Sequence, residues 1–257
     1  MLKRFLKVAV MILLVGYLGV GAFLYSYQEK ILYHPTPNVK IDYPQIVFLH
    51  DSAKTVVHVL NGEHENAILY FGGNAESMAR SANYIAQQFP SFTCYLMDYR
   101  GYGESTGQPS EKILYADALA LYDEVAKKHK RISIGGRSLG TGIATYVAVH
   151  REVSKLALIT PYDSIVSVAQ GRYPLYPAAL LLKDKYDSLS RAKDIKSQTF
   201  IVVAENDKVI PRVHTQRLIE AFKKEQLQVT IIKDRGHMDI SDDAGYYKIM
   251  QDFIGEG

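Results

Sequence analysis

The sequence predicts an α/β fold, a mostly parallel central sheet with helices on both faces, and three observations carry that prediction. Short apolar runs alternate with helical patterns from Ala67 to Ile254, the rhythm that βαβ units require. A serine between two glycines, Gly136-Arg137-Ser138-Leu139-Gly140, stands where one apolar run gives way to a helical stretch. Asp207 and then His237 fall just beyond two later runs, at the strand ends where such sheets place their chemistry.

The first element is of another kind. Val8 through Gln28 carries no charge and is mostly apolar. As a helix it covers about 31 Å, close to the hydrocarbon thickness of a bilayer. Lys3, Arg4 and Lys7 precede it, while Lys30 and Lys40 follow beside Glu29 and Asp42. That asymmetry places the N-terminus in the cytoplasm and the rest of the chain across the membrane. The competing reading is a cleavable signal peptide cut near Val20-Gly21-Ala22, leaving a secreted or periplasmic protein. The apolar run is long for a signal, and the aromatics Phe23, Tyr25 and Tyr27 continue past the cut. The chain thus divides into an anchor (1–30), a proline-containing linker (31–44) and a domain (45–257).

Two strands, Ile46–His50 and Thr55–Leu60, join through a turn at Asp51-Ser52. Buried strands follow at Ala67–Phe71, Phe92–Met97, Ile132–Ile134, Leu156–Thr160, Thr199–Val203 and Val229–Ile232. Helices are expected near Glu76–Gln88, Ser110–Lys128, Leu139–His150, Arg212–Lys224 and Ala244–Ile254. The interval from about 161 to 198 breaks the rhythm. Pro161, Pro174 and Pro177 punctuate it, Tyr162, Tyr173, Tyr176 and Tyr186 crowd it, and Ala178–Leu182 is apolar. It reads as a small lid over the site, with Tyr162 against substrate, or else as a surface loop with one packed helix.

G-x-S-x-G occurs twice, at Ser138 and at Ser105, and chance alone supplies it roughly one time in ten in a chain of this length. Context separates the two. Ser138 has a strand before it and a helix with one apolar face after it, as a nucleophile elbow needs. Ser105 follows a glycine-rich loop and precedes Gln108 and Pro109, which halt regular structure. A serine hydroxyl needs a base, and the base an acid to orient it. His237, after Gly236, supplies the first, and Asp207 the second, with Glu205 and Asp239 as rival acids. Two backbone N–H groups must face the developing oxyanion. Leu139 offers one and Asn74, in Phe71-Gly72-Gly73-Asn74, the other, with Gly73 letting the backbone approach substrate.

Composition narrows the classes. The 257 residues suit one large domain and an appendage, and a net charge of +3 is too small and dispersed for a nucleic-acid partner. Cys94 is the single cysteine, so an intrachain disulfide and a multi-cysteine metal site are excluded. His34, His50, His58, His64, His129, His150 and His214 fall in no metal-binding spacing, and neither glycine-rich stretch is a phosphate cradle. No cofactor is expected, and oligomeric state is not legible.

With these residues in hand, the chain resembles the α/β-hydrolase superfamily over roughly residues 45–255, and within it the membrane-anchored, serine-aminopeptidase-like or lysophospholipase-like branch. The matching segments are Phe71–Ala75, Asp98-Tyr99-Arg100-Gly101-Tyr102-Gly103-Glu104-Ser105-Thr106-Gly107, the Ser138 elbow, the Asp207 loop and Gly236-His237. The branch usually carries His-Gly-Asn where this chain has Gly72-Gly73-Asn74. The reading is a membrane-anchored serine hydrolase cleaving esters or thioesters of small, lipid-like acyl substrates. The alternatives are a peptidase or amidase, and a non-catalytic membrane-tethered binding protein on the same fold.

Overall fold

The computed structural model describes residues 1–50 and 52–255, so Asp51 of the expected Asp51-Ser52 turn lies outside the described residues. Eight strands form one sheet in the order β1-β2-β4-β3-β5-β6-β7-β8. They are β1 (Gln45–His50), β2 (Ala53–Leu60), β3 (Asn66–Phe71), β4 (Thr93–Met97), β5 (Arg131–Arg137), β6 (Lys155–Ile159), β7 (Gln198–Ala204) and β8 (Leu227–Ile232). The β1–β2 hairpin is antiparallel and joins the sheet antiparallel to β4. From β4 to β8 every pairing is parallel.

The parallel strands are apolar almost throughout because both faces are covered. Adjacent residues enter opposite cores. Ala67, Leu69 and Phe71 of β3 pack with Leu114, Leu121, Ile143 and Val147 of α3 (Glu111–Val125) and α4 (Leu139–His150). Ile68 points the other way, with Cys94, Leu96, Phe200 and Val202, against α2 (Met78–Gln88) and α9 (Tyr246–Gly255). Buried in that second core, the Cys94 thiol is pushed up to about 12, so it stays protonated and inert.

The chain begins with α1 (Leu2–Leu32), longer at both ends than the uncharged run. Among the described residues it is the one helix long and apolar enough to cross a membrane. Its C-terminal end is fastened to the body: Tyr33 donates to Asp184 (2.7 Å) and sits 2.8 Å from the Tyr186 hydroxyl. Between β6 and β7 the interval expected as a lid splits in two. The α5 (Ile165–Arg172) and α6 (Ala178–Leu181) helices form a cap that meets α1. The remainder, with α7 (Ser188–Arg191), returns to the body, where the Ser188 hydroxyl lies 3.1 Å from that of Thr145 on α4. Tyr162 and Tyr186 are therefore core residues, 1% and 0% exposed. A further covering helix, α8 (Arg212–Ala221), follows β7.

Candidate active site

Parallel pairing sets β3 and β5 side by side, Phe71 opposite Gly136, so their C-terminal loops share one edge of the sheet. At that edge Ser138 adopts φ 48°, ψ −116°, a conformation that costs a non-glycine residue about 1–3 kcal/mol. Surrounding bonds hold it: its N–H donates to Ile159 (3.0 Å), and its carbonyl accepts from the Thr141 N–H (2.9 Å) and hydroxyl (2.6 Å). The flanking glycines are steric necessities. A Cβ on Gly136 would lie 2.6 Å from the Gly140 carbonyl oxygen, and one on Gly140 would overlap that of Phe71.

The loop after β7 presents Asp207 and the loop after β8 presents His237. The structure brings them to Ser138. His237 Nε2 lies 2.8 Å from Ser138 Oγ, and His237 Nδ1 lies 2.7 Å from Asp207 Oδ2. A proton on Nδ1 satisfies both contacts, with Nε2 accepting from the serine hydroxyl. The other Asp207 oxygen accepts from the N–H groups of Val209 and Ile210, both at 2.8 Å, which fixes the carboxylate plane. The rival acids are engaged elsewhere: Glu205 accepts from the Asp234 N–H and Asp239 from that of Gly236, so both shape the histidine loop.

Asn74 and Leu139 line the same cavity as Ser138. Asn74 is pinned through its other polar groups. Its side chain donates to the Leu32 carbonyl (3.0 Å), and its own carbonyl accepts from the Tyr102 hydroxyl (2.7 Å). Gly73 lies against the serine, a Cβ there reaching 3.7 Å from that of Ser138, while its N–H donates to Glu76 (2.9 Å). At Gly72 a Cβ would meet the terminal methyl of Met78, the mobile end of that side chain. Glu76 and the Tyr99 hydroxyl, which donates to the Gly72 carbonyl (2.7 Å), brace the loop. Tyr162 lines the inner wall of the cavity rather than a lid, its hydroxyl donating to the Leu139 carbonyl (3.1 Å).

Sequence reasoning missed Arg137. Its guanidinium donates to the carbonyls of His237 and Met238, each at 3.2 Å, and lies 3.8 Å from Glu76. It therefore ties the elbow to the histidine loop and to the loop of Gly73. Its partners are a carboxylate about sixty positions back and two backbone carbonyls about a hundred positions on, and no local pattern announces them. Two further buried pairs brace the surroundings. His214 meets Asp163 at 3.0 Å and holds α8 against the segment after β6. His58 meets Asp98 at 3.0 Å beneath the Tyr99–Gly107 loop.

Ser105 occupies that loop as a structural residue. Its hydroxyl accepts from the Val56 N–H (2.8 Å) and donates to the Asp98 carbonyl (2.9 Å). The arrangement at Ser138 has what acyl transfer requires: a hydroxyl, a base in hydrogen-bond reach, and an acid orienting the base.

Comparison with known proteins agrees with this architecture. A family model described as alpha/beta hydrolase fold matches residues 66–180. An uncharacterised protein of Mycobacterium tuberculosis (strain H37Rv) is 29% identical over 238 residues, covering 86% of this chain and 84% of that one. Alpha/beta hydrolase domain-containing protein 17B of Homo sapiens is 26% identical over 195 residues, 74% of this chain and 66% of that one. Among solved structures, the Pyrococcus furiosus esterase Pf2001 superposes with a TM-score of 0.68 at 16% identity, covering 86% of this chain and 98% of its own. Strand order, elbow geometry and these likenesses agree: the chain has the α/β-hydrolase fold.

Proposed function

We propose that this chain is a membrane-anchored serine hydrolase that cleaves carboxylic esters or thioesters of lipid-like acids. The observation that carries the reading is the hydrogen-bond path from Asp207 through His237 to the Ser138 hydroxyl, 2.7 and 2.8 Å, ending on a largely apolar cavity of about 560 Å³. Ser138 Oγ attacks the acyl carbon as His237 Nε2 takes its proton, and that proton leaves with the alcohol or thiol. Water, giving a proton to the same nitrogen, then attacks the acyl-serine; that proton passes to Ser138 Oγ as the acid departs, which restores the free enzyme. The Leu139 and Asn74 N–H groups hold the oxyanion. Gly73 leaves room for the acyl group, and Tyr162 closes the inner wall behind Leu139. The esterase named among the structural relatives is in keeping with this chemistry.

In this reading α1 remains as an anchor, with Lys3, Arg4 and Lys7 on the cytoplasmic side and the hydrolase domain beyond the membrane. The full-length protein in detergent, offered acyl esters, thioesters and aminoacyl amides, is expected to turn over the first two. Turnover confined to the amides would make it a peptidase or amidase, and ligand binding without turnover of any acyl donor would make it a binding protein.

Arg137 supplies a second expectation. Removing its links should let the histidine loop drift relative to the elbow, and misplacement of about 1 Å costs on the order of 10²-fold in rate. Arg137→Met is expected to lower kcat about 10–100-fold, with KM little changed and partial rescue in Arg137→Lys. A change in KM alone would place Arg137 in substrate binding instead.

A further inference from the structure

The cavity beside Ser138 is walled in part by the anchor itself. Leu24, Gln28, Ile31 and Leu32 of α1 line it opposite Val168 and Leu181 of the cap. The helix docks through one face: Tyr17, Gly21, Leu24, Gln28 and Leu32 recur at helical spacing. The Tyr17 hydroxyl donates to the Leu175 carbonyl (2.8 Å), the Tyr176 hydroxyl donates back to the Tyr17 carbonyl (3.0 Å), and the rings stack at 4.7 Å. Gly21 lets the ring of Tyr176 rest on the helix, since a Cβ there would lie 3.1 Å from it. Gln28 donates to the Leu181 carbonyl (3.2 Å) and accepts from the Lys183 N–H (2.8 Å).

This docking sets a depth. Glu29 is the first charge after the apolar run, and it pairs with Lys183 at 2.8 Å. Tyr17 lies about 18 Å further back along the helix axis, well inside a hydrocarbon layer of about 30 Å. The cap tip bound to Tyr17 shares that depth. Its sequence suits the place: Tyr173 through Leu182 is uncharged, bounded by Arg172, which lines the cavity, and by Lys183, which pairs with Glu29 where the apolar run ends. Leu175 and Leu180 point outward from this stretch, 77% and 83% exposed, while Tyr173, Tyr176, Ala178 and Leu181 face the cavity. Gln170 satisfies the turn, accepting from the Ala178 N–H and donating to the Pro174 carbonyl, both at 3.1 Å.

We propose that Tyr173–Leu182 dips into the bilayer beside α1, and that the cavity opens there, between helix and cap. The substrate is then a long-chain acyl ester resident in the membrane, whose chain slides from the leaflet to Ser138 without crossing water. The inference rests on the reading of Ser138 as nucleophile and of α1 as an anchor that is kept. An anchor cleaved near Ala22 would lose Tyr17 and Gly21, and with them the contacts that seat the cap.

The test uses the full-length protein in phosphatidylcholine vesicles, with a water-soluble butyrate ester and a fluorogenic palmitate ester dissolved in the bilayer. The double variant Leu175→Asp/Leu180→Asp is expected to lose at least about tenfold on the palmitate and to keep the butyrate rate within about twofold, as expected when a charge must enter hydrocarbon only to admit the membrane substrate. In parallel, Leu180→Cys carrying an environment-sensitive fluorophore is expected to shift blue on reconstitution and to resist iodide quenching; Cys94, buried and protonated, leaves labelling to the new thiol. Equal effects on both esters, or a label that stays open to iodide, would overturn the proposed route while leaving the hydrolase reading intact. Failure of the unmodified protein on both esters, with Ser138 inert to a fluorophosphonate, would overturn the hydrolase reading, and the substrate route with it.

Discussion

Replacing Ser138 by alanine is expected to abolish covalent labelling by a fluorophosphonate and to lower kcat by about 10⁵–10⁶-fold. Replacing Ser105 should leave labelling in place. Both serines stand in G-x-S-x-G, so the pair separates motif from mechanism within one chain. Ser138 carries a hydroxyl 2.8 Å from His237 Nε2 and lines the cavity. Ser105 spends its hydroxyl on the Val56 N–H and the Asp98 carbonyl, both buried. Its loss strands those groups, at about 1–3 kcal/mol, and should appear as a lower Tm. Labelling that survives Ser138→Ala, or that vanishes in folded Ser105→Ala, would overturn the assignment of the nucleophile.

Much of the frame was legible because period and punctuation agree at every level. The runs at Ala67–Phe71 and Thr199–Val203 are strands because both sheet faces are covered, and the observed β3 and β7 contain them. The glycines around Ser138 answer to a contact the sequence itself implies, a strand reversing tightly into a helix, and the near overlap at Gly136 and Gly140 is that contact. That Asp207 and His237 would meet at one edge was legible because each lies just past a strand, and parallel pairing carries such loops together.

What was not legible depended on partners far along the chain. Tyr162 and Tyr186 sit among prolines and tyrosines that read as lid, yet the chain turns back there and buries both beside Gly142 of α4. Hydropathy also could not tell which face of α1 is taken by protein. Tyr17, Gly21 and Leu24 are as acceptable to lipid as to the cap, so only the structure distinguishes them from their neighbours. Gly72 and Gly73 gave no sign that Glu76 and Tyr99 would brace their loop.

Asp207→Asn is the sharper test of how the base is held. Asparagine keeps an oxygen for the Val209 and Ile210 N–H groups, both 2.8 Å from Asp207 Oδ1, so the loop should keep its shape. Its amide nitrogen, however, faces His237 Nδ1, where Asp207 Oδ2 now lies at 2.7 Å. An amide donor there forces Nδ1 to accept, which moves the imidazole proton to Nε2 and points it at Ser138. The base is then blocked, and kcat is expected to fall about 10⁴-fold with a Tm close to that of the unmodified protein. Asp207→Ala removes both functions and should add a stability loss of about 1 kcal/mol, because the part-buried Ile210 N–H loses its acceptor. Glu205→Gln and Asp239→Asn each keep an oxygen for the N–H they hold, and neither touches His237, so each is expected to cost less than about tenfold in kcat, far below the cost of blocking the base. A large loss in either of these, with Asp207→Asn still active, would move the orienting acid away from Asp207.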